Sequence, residues 1–119
     1  MSIEITLSTW ERVHLAVAVG SQPRPGEGTV ARIRALISVL NVLELDDAEK
    51  LMTGWRQEMP GMAIWENLDW KLVFTDQQFQ DLCGVAIPFD RWPVHRCVEP
   101  MVTKLTQCML LAKADQKGQ

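Results

Sequence analysis

The stretch that decides the fold is Ile3–Glu11, which reads IEITLSTWE. Its apolar residues alternate with polar ones up to Leu7, which is the period of a short strand with one buried face. The next four residues match a capping box, in which the Ser8 hydroxyl accepts a hydrogen bond from the backbone N–H of Glu11. The sequence therefore predicts a strand that passes directly into a capped helix over residues 9–19.

The same order of residue types recurs later in the chain. Residues 72–78 read LVFTDQQ, with a hydroxyl cap at Thr75 and a glutamine three positions on. Thr75 follows Ser8 by 67 residues, and each copy precedes a helix, a proline-containing break and a longer helix. One interpretation is a strand–helix–helix unit used twice. The alternative is two ordinary helix starts, because capping boxes are common.

A loop and two helices are predicted between these units. Residues 21–28 hold two prolines and two glycines, which interrupt both helices and ladder strands. The second helix follows the cap Thr29, and a third begins near Asp47. The apolar stripe of the second helix has spacings of three, four and three, with two leucines that widen it: Val30, Ile33, Ile37, Leu40, Leu36 and Leu43.

The remaining elements are a hairpin and a long last helix. Strands 63–65 and 69–74 are separated by a short connection and are predicted to pair. The last helix is predicted over residues 92–114, with Pro100 as a kink or as the end of its first turn, and residues 115–119 as a disordered tail. Together these elements predict an α+β fold in a single domain over residues 1–119, with about five helices and a two- or three-stranded, partly antiparallel sheet.

Composition limits the classes of function. The 119 residues carry 12 basic and 15 acidic side chains, for a net charge of −3, and 47% are hydrophobic, which is typical of a globular domain. The longest nearly uncharged run covers residues 13–22, whereas a membrane-spanning helix needs about 20 apolar residues. The three cysteines lack paired spacing. We therefore expect a cytoplasmic protein with reduced thiols and no membrane contact.

Sequence patterns that carry catalysis or bind metals are missing. His95 and Cys97 are too close in sequence to face each other on a helix, so they do not predict a catalytic dyad. No zinc-type spacing and no nucleotide-binding motif occurs, and we expect neither a metal nor a cofactor. The alternative is an enzyme whose site is assembled from the two histidines and the three cysteines: His14, His95, Cys83, Cys97 and Cys108.

Tryptophan and methionine side chains predict a protein-binding patch. The chain has five tryptophans and no tyrosine, and Trp55 and Trp65 flank a turn that also carries Met59 and Met62. Tryptophan is enriched at interface hot spots, and methionine adapts to irregular partners. We expect these four residues to form a partly exposed apolar patch.

The last helix predicts self-association. One heptad-like line of residues is expected to pack on its own domain: Val94, Val98, Met101, Leu105, Cys108 and Ala112. Val102 and Met109 form a second line, which would meet its counterpart in a symmetric homodimer. The alternative is that neighbouring helices bury both lines within one chain.

These features predict a non-enzymatic protein-interaction, assembly or accessory protein. The small size and the missing chemistry are typical of accessory proteins of bacteria and their phages. One alternative is a DNA-binding regulator in which the second and third helices form a helix-turn-helix. The 3 basic and 8 acidic residues of segment 46–89 oppose that role. Another alternative is an inhibitor whose acidic segment binds a basic partner surface, as in phage accessory proteins.

Overall fold

The predicted order of strand, capped helix and repeated unit is present in the computed structural model, which describes residues 2–22, 28–60 and 62–117. The side chains of residues 58, 62, 63 and 114–117 lie outside this description. The elements are β1 Ser2–Ser8, α1 Thr9–Gly20, α2 Val30–Leu43, α3 Asp47–Thr53, β2 Arg56–Met59, β3 Met62–Ile64, β4 Asp69–Thr75, α4 Asp76–Ala86 and α5 Val98–Lys117. The α+β class with five helices is confirmed.

Local side-chain chemistry fixes the helix starts. Ser8 caps α1 and Thr75 caps α4, each in a complete capping box with the residue three positions on. Asp46 forms a third capping box at the start of α3, and Thr29 caps α2 by accepting from a backbone N–H. Each cap satisfies an N–H that the first turn would otherwise leave without a partner.

The central sheet pairs β1 with β4 in antiparallel orientation, with Ile5 opposite Leu72. The hairpin predicted between strands 63–65 and 69–74 is wrong, because β3 pairs with β2 instead. The reason is burial: the apolar face of β4 gains a matching apolar face from β1, which β3 is too short to supply.

The sheet and its helices repeat with the predicted offset. The register places Ser2 opposite Thr75 and Ser8 opposite Asp69, so the pairing is symmetric under the shift of 67 residues. The buried positions of the following helices obey the same shift: Arg12, Leu15, Ala18 and Val19 in α1, and Phe79, Leu82, Val85 and Ala86 in α4. The strand and the first helix of the predicted unit are therefore present twice.

The core lies between the inner face of the sheet and the helices. Leu7 and Phe74 from the sheet are fully buried, as are Met101 and Leu105 from α5. Lys104 links α5 to the first strand–helix unit by two hydrogen bonds. Its Nζ donates to the Thr6 carbonyl oxygen at 3.0 Å and to the Glu11 carboxylate at 2.8 Å.

Two helix predictions need correction. In α2 the buried residues are Leu36, Val39 and Leu43, whereas three residues of the predicted stripe face outward. The last helix begins at Val98 rather than near residue 92, because the Trp92 indole N–H donates to the Ala86 carbonyl oxygen and holds that segment as a loop.

The ends of the last helix also differ from expectation. Pro100 falls in the first turn, where its missing N–H leaves no helix bond unmade. The helix runs to Lys117, so it overlaps the predicted tail 115–119, whose last two residues lie outside the described residues. No helix among the described residues combines the length and the apolar character needed to cross a membrane.

Candidate interaction surface

The β2–β3 hairpin is attached to the end of α3. Gly54 ends that helix in the left-handed conformation, with φ of 67°, which glycine adopts without strain. Two backbone bonds then close the base of the hairpin: Trp55 N–H donates to the Lys50 carbonyl at 3.0 Å, and Glu66 N–H donates to Thr53 at 2.8 Å. In the described part of the chain, these two strands form a sheet only with each other.

Trp55 and Trp65 stack on each other at the base of this hairpin. Their ring centroids are 6.2 Å apart and their planes differ by 9°. Both side chains are half-buried and neither belongs to the hydrophobic core. The Lys50 ammonium lies 5.7 Å from the Trp55 ring centroid, which adds a cation–π contact.

Large apolar side chains on α3 and on the two hairpin strands are exposed. Leu51, Met52 and Met59 are each more than half exposed, and Ile64 is 43% exposed. We call these six residues the hairpin surface: Leu51, Met52, Trp55, Met59, Ile64 and Trp65. Of the four residues predicted from the sequence, three belong to it, while the side chain of Met62 lies outside the described residues. Its role in binding stays a prediction.

Sequence reasoning missed Leu51 and Ile64, whereas Met52 is expected from the sequence as further adaptable apolar surface close to Met59 and Met62. Leu51 and Met52 lie in α3, a helix of 7 residues in which the only buried residue is Thr53. A short helix that holds two large apolar residues beside a polar majority could have been noticed as a helix without a buried stripe. Ile64 gave no comparable signal, because its strand has only 3 residues.

A cavity of about 370 Å³ opens beside Trp55. Its walls come from α1 and from the segment that joins α2 to the hairpin, and they are largely apolar: Val13, Ala16, Val17, Leu43, Leu45 and Trp55, with Arg12, Glu44 and Lys50 as polar members. This volume is at the small end of ligand sites, so the cavity can accept a side chain of a partner.

Arg12 lines this cavity and makes hydrogen bonds through all three guanidinium nitrogens. Its guanidinium donates to the carbonyl oxygens of Val42, Leu43 and Glu44 and to the Glu49 carboxylate, at 2.8 to 3.3 Å. It also lies 5.2 Å from the Trp70 ring centroid. The last carbonyls of a helix have no partner within that helix, so Arg12 satisfies the end of α2.

Electrostatics around the hairpin surface are acidic. The hydrogen bond from Arg12 is the main cause that holds the pKa of Glu49 below its ordinary value, which keeps this carboxylate ionised. Four further carboxylates in the same segment are exposed: Asp46, Asp47, Glu66 and Asp69. The same segment also carries two exposed cations, Lys50 and Arg56.

The two histidines named as candidate catalytic residues lie against the same tryptophan. His14 and His95 both stack on Trp10, with ring centroids 3.9 Å and 4.7 Å away. His95 Nδ1 accepts a hydrogen bond from the backbone N–H of Cys97, so the bond uses the amide rather than the thiol. The structure brings the histidines to one aromatic ring, an arrangement that positions them for packing.

Burial favours the protonated form of two thiols. It raises the pKa of Cys83 to about 12, with a smaller contribution from the nearby Cys108 thiol. Burial also raises the pKa of the half-buried Cys108. Because the thiolate is the nucleophile, these shifts lower the reactivity of both thiols. Within residues 2–22, 28–60 and 62–117, no group of three or more His, Cys, Asp or Glu side chains could hold a metal ion.

Val102 and Met109, the two residues predicted to form a homodimer contact, lie against the core. Val102 and Met109 are half-buried and pack against the core cluster, while Leu110 and Leu111 are exposed. The structure therefore leaves only part of each predicted side chain for a second copy.

No known protein family, curated protein or solved structure matches this chain.

Proposed function

We propose that this protein is a non-enzymatic interaction protein that binds a protein partner on the hairpin surface. The observation that carries the proposal is the exposure of Leu51 and Met52 on α3 and of Met59 on the hairpin, in the segment that also holds the stacked tryptophan pair outside the core. Large exposed apolar side chains concentrated in one segment of a folded protein typically mark an interaction site.

The physical features of this surface suit protein binding. The stacked tryptophans lose little conformational entropy on association, because their rings are already held in place, and tryptophan dominates many hot spots. Met52 and Met59 add flexible apolar contact around that rigid centre. The cavity beside Trp55 gives a partner side chain a place to insert.

The surrounding charge favours a basic partner. The exposed carboxylates would lie at the rim of such an interface, where charge affects the association rate more than the affinity. One form of this proposal is the inhibitor alternative from the sequence. In that case, the partner's basic surface is one that binds nucleic acid, and this protein occupies it.

The test compares variants that change one exposed apolar side chain without touching the core. We expect Met59→Gln and Leu51→Gln to weaken capture of partner proteins from extracts of the native host at least tenfold. Val73→Thr is the matched control, since Val73 is 55% exposed on the outer face of β4. Partners would be identified by mass spectrometry, and circular dichroism would confirm that each variant is folded.

Two outcomes would contradict the proposal. The first is capture of the same proteins by the wild type and by both hairpin variants. The second is steeply salt-dependent retention of duplex DNA, which would favour a nucleic-acid-binding regulator instead.

A homodimer through Val102 and Met109 stays a prediction. Light scattering at micromolar concentration would support it if the mass is twice 13.5 kDa and returns to 13.5 kDa in a folded Met109→Glu variant. A wild-type mass of 13.5 kDa would exclude it.

A further inference from the structure

The outer face of α2 carries an apolar stripe whose residues are exposed among the parts of the chain that the structure describes. Val30 is 64% exposed, Ile33 is 41% exposed and Ile37 is 50% exposed. Their spacings of three and four residues place them along one side of the helix. The buried stripe at Leu36, Val39 and Leu43 lies about a third of a turn away, at roughly 100° per residue.

The charges of this helix are all positive. α2 contains two charged residues, Arg32 and Arg34. Arg32 forms an ion pair with Asp81 at 3.2 Å, which fixes it toward α4. Arg34 is exposed beside the apolar stripe and forms no ion pair with the residues that the structure describes. The stripe is thus apolar with one available cation on its edge, unlike the acidic hairpin surface.

We propose that this face of α2 is a second docking surface, which binds an amphipathic helix of a partner protein whose apolar stripe is flanked by carboxylates. Helix-on-helix recognition uses anchors at spacings of three and four residues, as found here. Within the 14 residues of α2, the stripe from Val30 to Ile37 is about 10 Å long at 1.5 Å per residue, which gives about two turns of contact. Its buried stripe holds it rigidly against the core, so little ordering is needed on binding.

A second copy of this chain fits the face poorly. In an antiparallel pair centred between Ile33 and Ile37, Arg34 would lie close to the symmetry axis and would approach Arg34 of the other copy. Two positive charges brought close together oppose association of the two copies. An acidic residue on a different helix would instead complete an ion pair, so the charge favours a heterologous partner.

The test uses two fluorescein-labelled synthetic peptides of equal length and helicity. Both carry leucines on one stripe, flanked by glutamates in the first and by lysines in the second, and binding is measured by fluorescence anisotropy. We expect the glutamate peptide to bind the wild type at least tenfold more tightly than the lysine peptide. Arg34→Glu should reverse that order, and Ile37→Gln should weaken binding of the glutamate peptide at least tenfold.

The hairpin surface supplies the matched control. Met59→Gln should leave binding of the glutamate peptide unchanged, so the two docking surfaces are tested independently. Thermal unfolding followed by circular dichroism would confirm that Ile37→Gln is folded.

Three results would overturn the proposal. One is no measurable binding of the glutamate peptide, or equal affinity for both peptides. Another is loss of glutamate-peptide binding in Met59→Gln with no effect of Ile37→Gln. The third is preferential binding to phosphatidylglycerol vesicles that Arg34→Glu abolishes, which would assign the face to a lipid surface.

Discussion

Arg12 combines full burial with a permanent charge, and its neighbours explain how the fold tolerates both. The side chain is 1% exposed, and its donors satisfy the end of α2 and the Glu49 carboxylate. Arg12→Met would keep the length of the side chain but leave these acceptors without donors. A buried acceptor left without a donor typically costs about 1 to 3 kcal/mol, so we expect a loss of at least that size in urea unfolding.

Arg34 is the control for this substitution, because its side chain is exposed and outside any described ion pair. Arg34→Met should change the free energy of unfolding far less than Arg12→Met. Equal losses for the two variants would show that Arg12 stabilises the fold through its aliphatic stem rather than through its donors.

The Arg12–Glu49 pair also predicts a pH dependence. The guanidinium lowers the pKa of Glu49 in the folded protein, so the unfolded chain binds a proton at higher pH than the folded one. The stability from this pair is therefore fully present above the ordinary glutamate pKa and is lost as pH falls through the lowered value.

Urea unfolding of the wild type and of Glu49→Gln at a series of pH values measures this effect. We expect the difference in unfolding free energy between them to be largest near pH 7 and to shrink progressively in acid. A difference that is constant with pH would mean that the charge of Glu49 contributes nothing to the pair.

The sequence predicted elements well where the signal is local and poorly where it depends on a distant partner. The capping boxes at Ser8 and Thr75 need only three neighbouring residues, and both helix starts were placed correctly. The partner of β4 lies more than 60 residues away in β1, and the neighbouring β3 was chosen wrongly. Strand pairing depends on which apolar faces become buried together, and the alternation within one short strand does not identify its partner.

The same limit applies to the surfaces. α2 has two adjacent apolar stripes, and periodicity alone does not say which one faces the core. Trp55, Met59 and Trp65 were found because their residue types are unusual in composition and close in sequence. The sequence does not predict the burial of Arg12, which lies between Glu11 and His14 at the polar start of α1.

The attachment of the hairpin to α3 predicts that it contributes little to global stability. β2 and β3 pair with each other outside the main sheet, and an isolated two-stranded hairpin is only marginally stable. Replacing residues 57–63 with a short glycine–serine linker should lower the free energy of unfolding by no more than about 1 to 2 kcal/mol, judged by typical single-site effects.

Partner binding should be lost in the same variant, because the linker removes Met59 and separates Trp55 from Trp65. Urea unfolding and the capture experiment measure the two properties on one sample. A cooperative loss of the whole fold would show instead that the hairpin is part of the folding unit.

For the molecule as a whole, the antiparallel pairing of β1 with β4 joins two similar strand–helix units around a local two-fold. Ile5 and Leu72 occupy equivalent positions in the two units and lie opposite each other at the centre of the register. Both are buried, at 6% and 8% exposure, on the face that packs against the helices. We therefore expect the packing of each strand–helix unit to depend on the other through the contact between Ile5 and Leu72.

A double-mutant cycle on this pair tests that dependence. Ile5→Val should cost about 0.5 to 1.5 kcal/mol and Leu72→Ala about 2 to 5 kcal/mol in urea unfolding, from the methyl groups each removes from the core. Because the two side chains share one contact, their effects should depart from additivity by at least about 0.5 kcal/mol. Val73→Ala on the outer face, combined with Ile5→Val, is the control and should be additive, since Val73 is exposed and lies opposite Glu4. Additive effects for both pairs would mean that each unit is stabilised by its own helix and that the central strand contact carries no energetic link between the halves.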